Sequence, residues 1–267
     1  IAFAGGINVI DDFDDGESAA PRFDYAVRIE GPLAERVHAT VRHVWRLVRW
    51  ASLGRRPPPP AALPRAATVS GTIRAALLIR DNLRHRHDIE HAYLQAIHSA
   101  RSEILISNAY FLPGRRFRKV LLAAAKRGVR VRLLLQGRSD HVLLHHATLS
   151  LYDRMLSAGI RVFEYQPAEL HAKVAVIDDD WATVGSSNID PFSLLLSREA
   201  NVLVRDAAFA GELRGSLEAA IDSSMREIRV EDQRRRGWLA RLVNAAAYSV
   251  VRFLIGVTRY GRRHYAD

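Results

Sequence analysis

Two segments far apart in this chain carry the same ordered succession. Ala2-Phe3-Ala4-Gly5-Gly6-Ile7-Asn8 and Ala182-Thr183-Val184-Gly185-Ser186-Ser187-Asn188 both read as an apolar strand, a pair of small residues, a spacer and an asparagine. An acidic residue and a second strand follow each, first Asp24-Tyr25-Ala26-Val27 and then Glu199-Ala200-Asn201-Val202, and a long helical pattern comes next. A small-small-x-Asn turn is common by chance. The whole succession twice is not, so the chain is expected to be built on a duplicated unit.

Around and between the copies, short β-branched runs alternate with Ala/Leu/Arg-rich stretches, the pattern of an α/β protein. Strands are expected at 25–30, 73–79, 103–109, 129–136, 160–165, 170–177, 182–185 and 201–205, with helices at 32–50, 88–100, 115–127, 145–158 and 207–228. Gly128 and Gly159 sit where a left-handed cap closes a helix. Asp178-Asp179-Asp180-Trp181 predicts a hairpin turn. Residues 52–68 contain Pro57 to Pro60 and Pro64. Consecutive prolines prefer extended polyproline II and donate no main-chain hydrogen bonds, so this stretch reads as an exposed linker.

The formal charge of +10 favours anionic partners: nucleic acid, acidic lipid headgroups or a phosphorylated small molecule. Charge alone does not choose among them. The chain has no cysteine, which excludes disulfides, thiol nucleophiles and Cys-ligated zinc.

The chemistry concentrates in one spaced pattern. His171-Ala172-Lys173 is followed by Asp178 and then by Gly185-Ser186-Ser187-Asn188. Residues two apart on a strand face the same side, so His171 and Lys173 are expected to project together, and the hairpin returns Asn188 beside them. Phosphoryl transfer needs three such groups. A neutral imidazole can attack phosphorus and form a covalent phosphohistidine. Lys173 and Asn188 would hold the non-bridging oxygens as charge develops. No metal or other cofactor is required. His-x-Lys alone carries no information, but the full pattern seated between apolar strand residues does.

That pattern resembles the HKD signature of the phospholipase D superfamily. Within it, the runs 170–178 and 181–194, together with Asn108-Ala109-Tyr110-Phe111-Leu112-Pro113-Gly114 and residues 24–32, look like bacterial cardiolipin synthases. The resemblance implies an α/β phospholipase D-like fold of two repeats, each a mixed sheet flanked by helices, with the site between them. The first repeat is incomplete here. Residues 1–51 would be its remnant, 52–68 the linker, 69–232 the second repeat and 233–267 a basic tail. It also implies that Asp178 is a structural partner within the motif, and that Glu199 is the carboxylate that orients the histidine. Ser186 and Ser187 are expected as turn formers, one of them open to phosphate contact. Such enzymes carry two motifs, and this chain has one. Asn8 and Asp24 would survive as substrate-facing members of the other half-site, whose Asp, Lys and His would precede Ile1. The chain is therefore expected to be a piece of a longer protein, with impaired turnover alone. The implied reaction makes cardiolipin from two phosphatidylglycerols, peripherally at the cytoplasmic face of a bacterial inner membrane, with no nucleic-acid partner. A phosphodiesterase or nuclease of the same superfamily, and a non-catalytic phosphate-gripping membrane module, are the alternatives. Oligomeric state is not legible.

The remaining histidines are read more plainly. His85, His87, His91 and His98 are expected at the surface, whereas His141, His145 and His146 lie where they could line the pocket. The tail from Gly237 to Tyr260 is apolar and long enough to cross a bilayer, yet Arg241, Arg252 and Arg259 fall on one helical stripe. An arginine near the middle of a spanning helix costs about 2.5–3.5 kcal/mol. A helix lying on an anionic membrane surface avoids that cost, with Trp238, Leu242 and Phe253 toward acyl chains and the arginines toward headgroups. Packing on the protein's own core is the competing reading.

Overall fold

The computed structural model describes residues 1–8, 21–51, 71–137 and 141–257. The expected linker at 52–68 lies outside these residues.

The first segment forms a two-stranded antiparallel sheet, β1 (Ala2–Gly5) with β2 (Ala26–Ile29), followed by helix α1 (Pro32–Ala51). The rest builds an eight-stranded mixed sheet from β3 (Arg74–Arg80), β4 (Glu103–Asn108), β5 (Arg130–Gln136), β6 (Arg161–Tyr165), β7 (Lys173–Ile177), β8 (Trp181–Gly185), β9 (Glu199–Arg205) and β10 (Met225–Ile228). Its spatial order is β10-β6-β5-β4-β7-β8-β9-β3. Only β4–β5 and β5–β6 pair in parallel, and each of these steps is bridged by a helix, α3 (Arg115–Lys126) and α4 (Val142–Ser157). The central strands β4, β7 and β8 are buried at every position, their polar residues included.

One face of the sheet carries α2 (Asp88–Ser99), α3, α4 and α8 (Trp238–Val257) over a core that includes Ile104, Ile106, Phe117, Ala175 and Ile177. The other face packs α6 (Ala207–Ser224) over Leu105, Val174, Val176 and Ala182. The first segment joins this second side. Its sheet and α1 close over Leu77, Val202 and Val204.

The repeat seen in the sequence is a repeat in space. Gly5 pairs with Ala26 and Ala4 with Val27, while Gly185 pairs with Asn201 and Val184 with Val202, the same register in both copies. The next bond repeats too: Gly6 N–H donates to Tyr25 O at 3.1 Å, and Ser186 N–H to Ala200 O at 3.0 Å.

Several elements differ from expectation. The helix expected over 207–228 ends at Ser224, and Met225–Ile228 turns into β10, which satisfies the otherwise open edge of β6. The strand expected at 170–177 begins only at Lys173, because His171 N–H donates to Phe23 O at 2.9 Å and leaves the sheet's ladder. Helix α4 starts three residues earlier than expected, at Val142. The short helix α5 (Pro191–Leu195) was not anticipated, although its signal is explicit: Asp190 Oδ1 accepts from Phe192 N–H at 2.7 Å and Ser193 N–H at 3.2 Å, with proline opening the first turn.

The tail is not a separate appendage over its described part. Ala247, Val251 and Ile255 of α8 belong to the main core, and Asn244 Oδ1 meets His146 Nδ1 at 2.8 Å. Burying a Val or Ile contributes roughly 1.5–3 kcal/mol, so this face of α8 is held firmly. Arg241 and Arg252 of the expected stripe therefore lie at the margin of a protein-facing surface, and Arg259 lies outside the described residues. Arg252 stacks over the Tyr248 ring at 5.8 Å, and Tyr248 Oη accepts from Arg118 at 2.6 Å.

Asp178 organises the hairpin from the end of β7 opposite Lys173. It adopts φ 48°, and its carboxylate accepts from the N–H groups of Arg101 (2.9 Å), Ser102 (2.8 Å) and Glu103 (3.0 Å) and from the Ser102 hydroxyl (2.8 Å). Partial burial alone would raise its pKa, but these donors outweigh it and hold the carboxyl below 3.8. A depressed acid contributes stability that is complete above its unfolded value, here 3.8, and lost as pH falls through the lower folded value. Asp178→Ala is accordingly expected to lower unfolding free energy by about 1–3 kcal/mol at neutral pH, and by less below pH 3.8, as read from urea melts.

Candidate active site

The site forms where the amino end of β7 meets the first segment. Phe23 bridges Leu170 in parallel; its N–H donates to Glu169 O at 2.9 Å and its carbonyl accepts from His171 N–H at 2.9 Å. The Phe23 ring stacks on Tyr165 at 5.3 Å, and Arg22 reaches Glu169 at 2.7 Å. These contacts fix residues 22–24 alongside 169–171.

The consequence is a bond that the sequence reading assigned elsewhere. His171 Nδ1 lies 2.7 Å from Asp24 Oδ2, and the two side chains are 17% and 6% exposed. Asp24, expected to face substrate, is the carboxylate that orients His171. Glu199, expected in that role, instead accepts from the Ser186 hydroxyl. The reason is geometric. Asp24 follows the first copy and reaches across to the histidine of the second, whereas Glu199 stays with the serine of its own copy. Gly6 makes this possible, since a Cβ there would stand 2.7 Å from Asp24 Oδ1. With Nδ1 engaged by Asp24, Nε2 is the nitrogen left to act on a substrate.

Lys173 is 3% exposed and its ammonium donates to the His171 carbonyl. Burial pushes its pKa down to about 8, against the opposing pull of Asp24, Glu199 and Glu169. Across the ladder it pairs with Asn108 of β4, so the two side chains share one face of the sheet. Asn108 Oδ1 accepts from Ile189 N–H at 2.9 Å, and Asn188 Oδ1 accepts from Tyr110 N–H at 3.2 Å. This reciprocal clasp fixes the turn after β8 against the end of β4 and leaves the Asn188 Nδ2 donor free. His171, Lys173 and Asn188 are thus tied into one neighbourhood through Asn108. Sequence reasoning had quoted Asn108 only as part of a resemblance. Its Nδ2 is buried without a hydrogen-bond partner among the described residues.

The serines face inward. Ser186 Oγ also accepts from Ala200 N–H at 3.1 Å, while Ser187 is buried and its hydroxyl donates to the Asn188 carbonyl at 3.3 Å. Asn201, unremarked in the sequence, receives Ser187 N–H at 3.3 Å and lies so close over Gly185 that a Cβ there would stand 2.3 Å from it. Burial raises the pKa of Glu199, partly offset by hydrogen bonds from Ser186 and Ser193. Asn8 is exposed at the end of the first copy. Asp178 is removed from the reacting groups by the length of β7.

Of the other histidines, His146 is occupied by α8 and His85 by Asp88 at 2.7 Å. His141 sets its ring 5.2 Å from that of Tyr110, beside the clasp. His145 has a lowered pKa, from burial first and then from His146 and Arg236. No cluster of three metal-ligating side chains occurs among the described residues. An open apolar groove of about 480 Å3 is lined by Phe3, Ile7, Val41, Ser186 and Ala200 and by none of His171, Lys173 or Asn188. A larger hollow of about 690 Å3 between β2, α1 and β9 includes none of His171, Lys173 or Asn188.

Residues 93–221 match the family described as cardiolipin synthase, PLD-like domain. The chain is 37% identical to cardiolipin synthase B of Escherichia coli (strain K12) over 94% of its own length and 60% of that protein's. It is 34% identical to cardiolipin synthase A of Pseudomonas putida (strain GB-1), covering 88% of this chain and 47% of that one. It therefore spans less than two thirds of the length of either relative. Among solved structures, phosphatidylserine synthase of Haemophilus influenzae Rd KW20 superposes with a TM-score of 0.55 at 13% identity, over 74% of this chain and 50% of that one. That likeness concerns the fold.

Because Lys173 loses its charge near pH 8, anion binding at this site should be pH-dependent well below the usual lysine range. Sulfate, whose own charge is constant here, is expected to bind below pH 8 and to lose about tenfold in affinity per unit above it. Calorimetric titration at several pH values reads this directly, and Lys173→Met should abolish both the affinity and its pH dependence.

Proposed function

We propose that this chain, whose residues 93–221 match the PLD-like domain of the cardiolipin synthase family, serves phosphatidyl transfer between phosphatidylglycerols. The observation that carries this reading is the Asp24–His171 pair beside a buried ammonium and a free carboxamide donor. His171 Nε2 attacks the phosphorus of one phosphatidylglycerol. An N–P bond forms, the P–O bond to the terminal glycerol breaks, and that glycerol departs as an alkoxide that must take up a proton. Lys173 Nζ and Asn188 Nδ2 hold the non-bridging oxygens through the transition state. A hydroxyl of a second phosphatidylglycerol then attacks the phosphatidyl-histidine, giving its proton back to the same acid as the N–P bond breaks. The sum is two phosphatidylglycerols to cardiolipin and glycerol.

Asp24 holds the imidazole in one tautomer and stabilises the positive charge it gains on attack. The acid that protonates the alkoxide follows from the symmetry of the fold. Glu199 stands to the second copy as Asp24 does to the first, so it is placed to orient an imidazole presented by a first-repeat motif or by a second copy of the chain. Such a histidine would serve as acid and then as base.

Net charge favours a second reading, cleavage of nucleic acid. The groove wall beside Ser186 argues for lipid, because Phe3, Ile7 and Val41 offer apolar surface there. Mass spectrometry of lipid products alongside a DNA-cleavage assay separates the two. In a protein carrying both repeats, His171→Ala is expected to reduce cardiolipin formation by at least about 10³-fold, and Asp24→Asn by about 10²–10⁴-fold. Unchanged cardiolipin output from His171→Ala would leave only a phosphate-gripping, non-catalytic role.

A further inference from the structure

Helix α8 has two apolar faces, and the fold uses one. Asn244, Ala247, Val251 and Ile255 form the buried stripe against α4. On the opposite side Trp238 (72% exposed), Leu239, Leu242, Val250, Phe253 (70%) and Leu254 stand in solvent. Exposed apolar surface this contiguous marks an interaction site. Arg241 and Arg252 lie along one border of that face, with Arg235 and Arg236 just before the helix. The helix WLARLVNAAAYSVVRFLIGV contains no acidic residue.

We propose that the outer face of α8 docks into the surface of an anionic phospholipid bilayer, so that the helix lies between the protein and the membrane. Three observations favour a bilayer over a protein partner. A protein interface of useful size carries roughly one hydrogen bond per 100–200 Å2. The outer face offers only Ser249, whose hydroxyl is already given to Ala245 O at 2.8 Å. The charges at its margin are all cationic, complementary to anionic headgroups and indifferent to register. Length and composition would also suit a spanning helix. Crossing the membrane, however, would strip Asn244 of His146 and Tyr248 of Arg118.

Docking in this way also orients the site. Asn244 and Tyr248 contact the first turns of α4 and α3, both of which begin just beyond the carboxyl ends of β5 and β4, the edge where Asn108 and Lys173 lie. Exposed Val142 and Leu143 at the start of α4, and Phe192 on α5, extend the apolar rim along that edge. The phosphodiester would be met at headgroup depth without the lipid leaving the bilayer. The orientation rests on the phospholipid reading, but docking itself is tested without turnover.

The chain has no cysteine, so a single introduced thiol reports one place. Phe253→Cys carrying an environment-sensitive fluorophore is expected to shift to the blue with phosphatidylglycerol-containing vesicles and to be quenched by spin-labelled acyl chains. Asp222→Cys on α6 should not respond. The double substitution Leu242→Glu and Phe253→Glu, both at exposed positions, should weaken vesicle partitioning by at least about tenfold with an unchanged melting temperature. Equal binding to purely zwitterionic vesicles, a silent Phe253 probe, or partitioning that survives the double substitution would overturn the proposal. A dimer that dissociates on the double substitution, with no vesicle binding, would assign the face to a second copy instead.

Discussion

The hydrogen bond from His171 Nδ1 to Asp24 Oδ2 spans 147 positions of sequence, and the arrangement around it has no purpose without it. It forces the first segment to lie along residues 169–171, which takes His171 out of the regular ladder and starts β7 three residues late. It requires a residue without a side chain at position 6, because the carboxylate fills the space a Cβ would need. It also leaves Nε2 as the outward nitrogen. A histidine held at one nitrogen by a carboxylate of low exposure has a defined tautomer and a defined direction of attack. The ammonium and carboxamide beside it are useful only because that direction is fixed.

The two copies show how the same backbone is put to different uses. Both pair their strands in the same register, and both send the following N–H to the same carbonyl. At the next side chain they diverge. Position 6 is glycine and admits a carboxylate bound for the opposite copy, whereas position 186 is serine, which donates its hydroxyl to the carboxylate of its own copy. One acid is thereby engaged with an imidazole, and the other is held by Ser186 and Ser193, its pKa raised by burial.

What the sequence revealed follows the range of the forces involved. The central strands were legible because burial on both faces leaves short apolar runs such as 104–106 and 174–177, and Gly128 and Gly159 marked helix ends because their positive φ is a local requirement. His171, Lys173 and Asn188 belong to one hairpin and its flanks, so their proposed grouping is a matter of local spacing. The identity of the orienting carboxylate was not. Asp24 and Glu199 occupy equivalent positions, and nothing local says which one crosses to His171. Met225–Ile228 failed for a similar reason: four residues take the conformation that the β6 edge demands, against the period of the helix before them. In α8 the pattern leads one to expect a single apolar face beside an arginine stripe, and the helix has two. A helix apolar on two sides, though, gives no sequence signal of which side faces protein.

The basic composition is the last feature to place, and the structure removes much of its apparent meaning. Arg130, Arg132 and Arg214 converge on the buried carboxylate of Glu103. Arg127 ties the carbonyls that end α2, Arg80 is buried on the Ser197 carbonyl, and Arg161 pairs with Glu227 across β6 and β10. These guanidiniums are consumed in holding strand ends and helix ends together, where five donors in a planar fork suit several carbonyls at once. Several guanidiniums are thus committed to structure, while Arg36 and Arg46 on α1 stay exposed. Arg235, Arg236, Arg241 and Arg252, at or beside α8, lie next to apolar surface, a distribution matched to a headgroup layer over hydrocarbon.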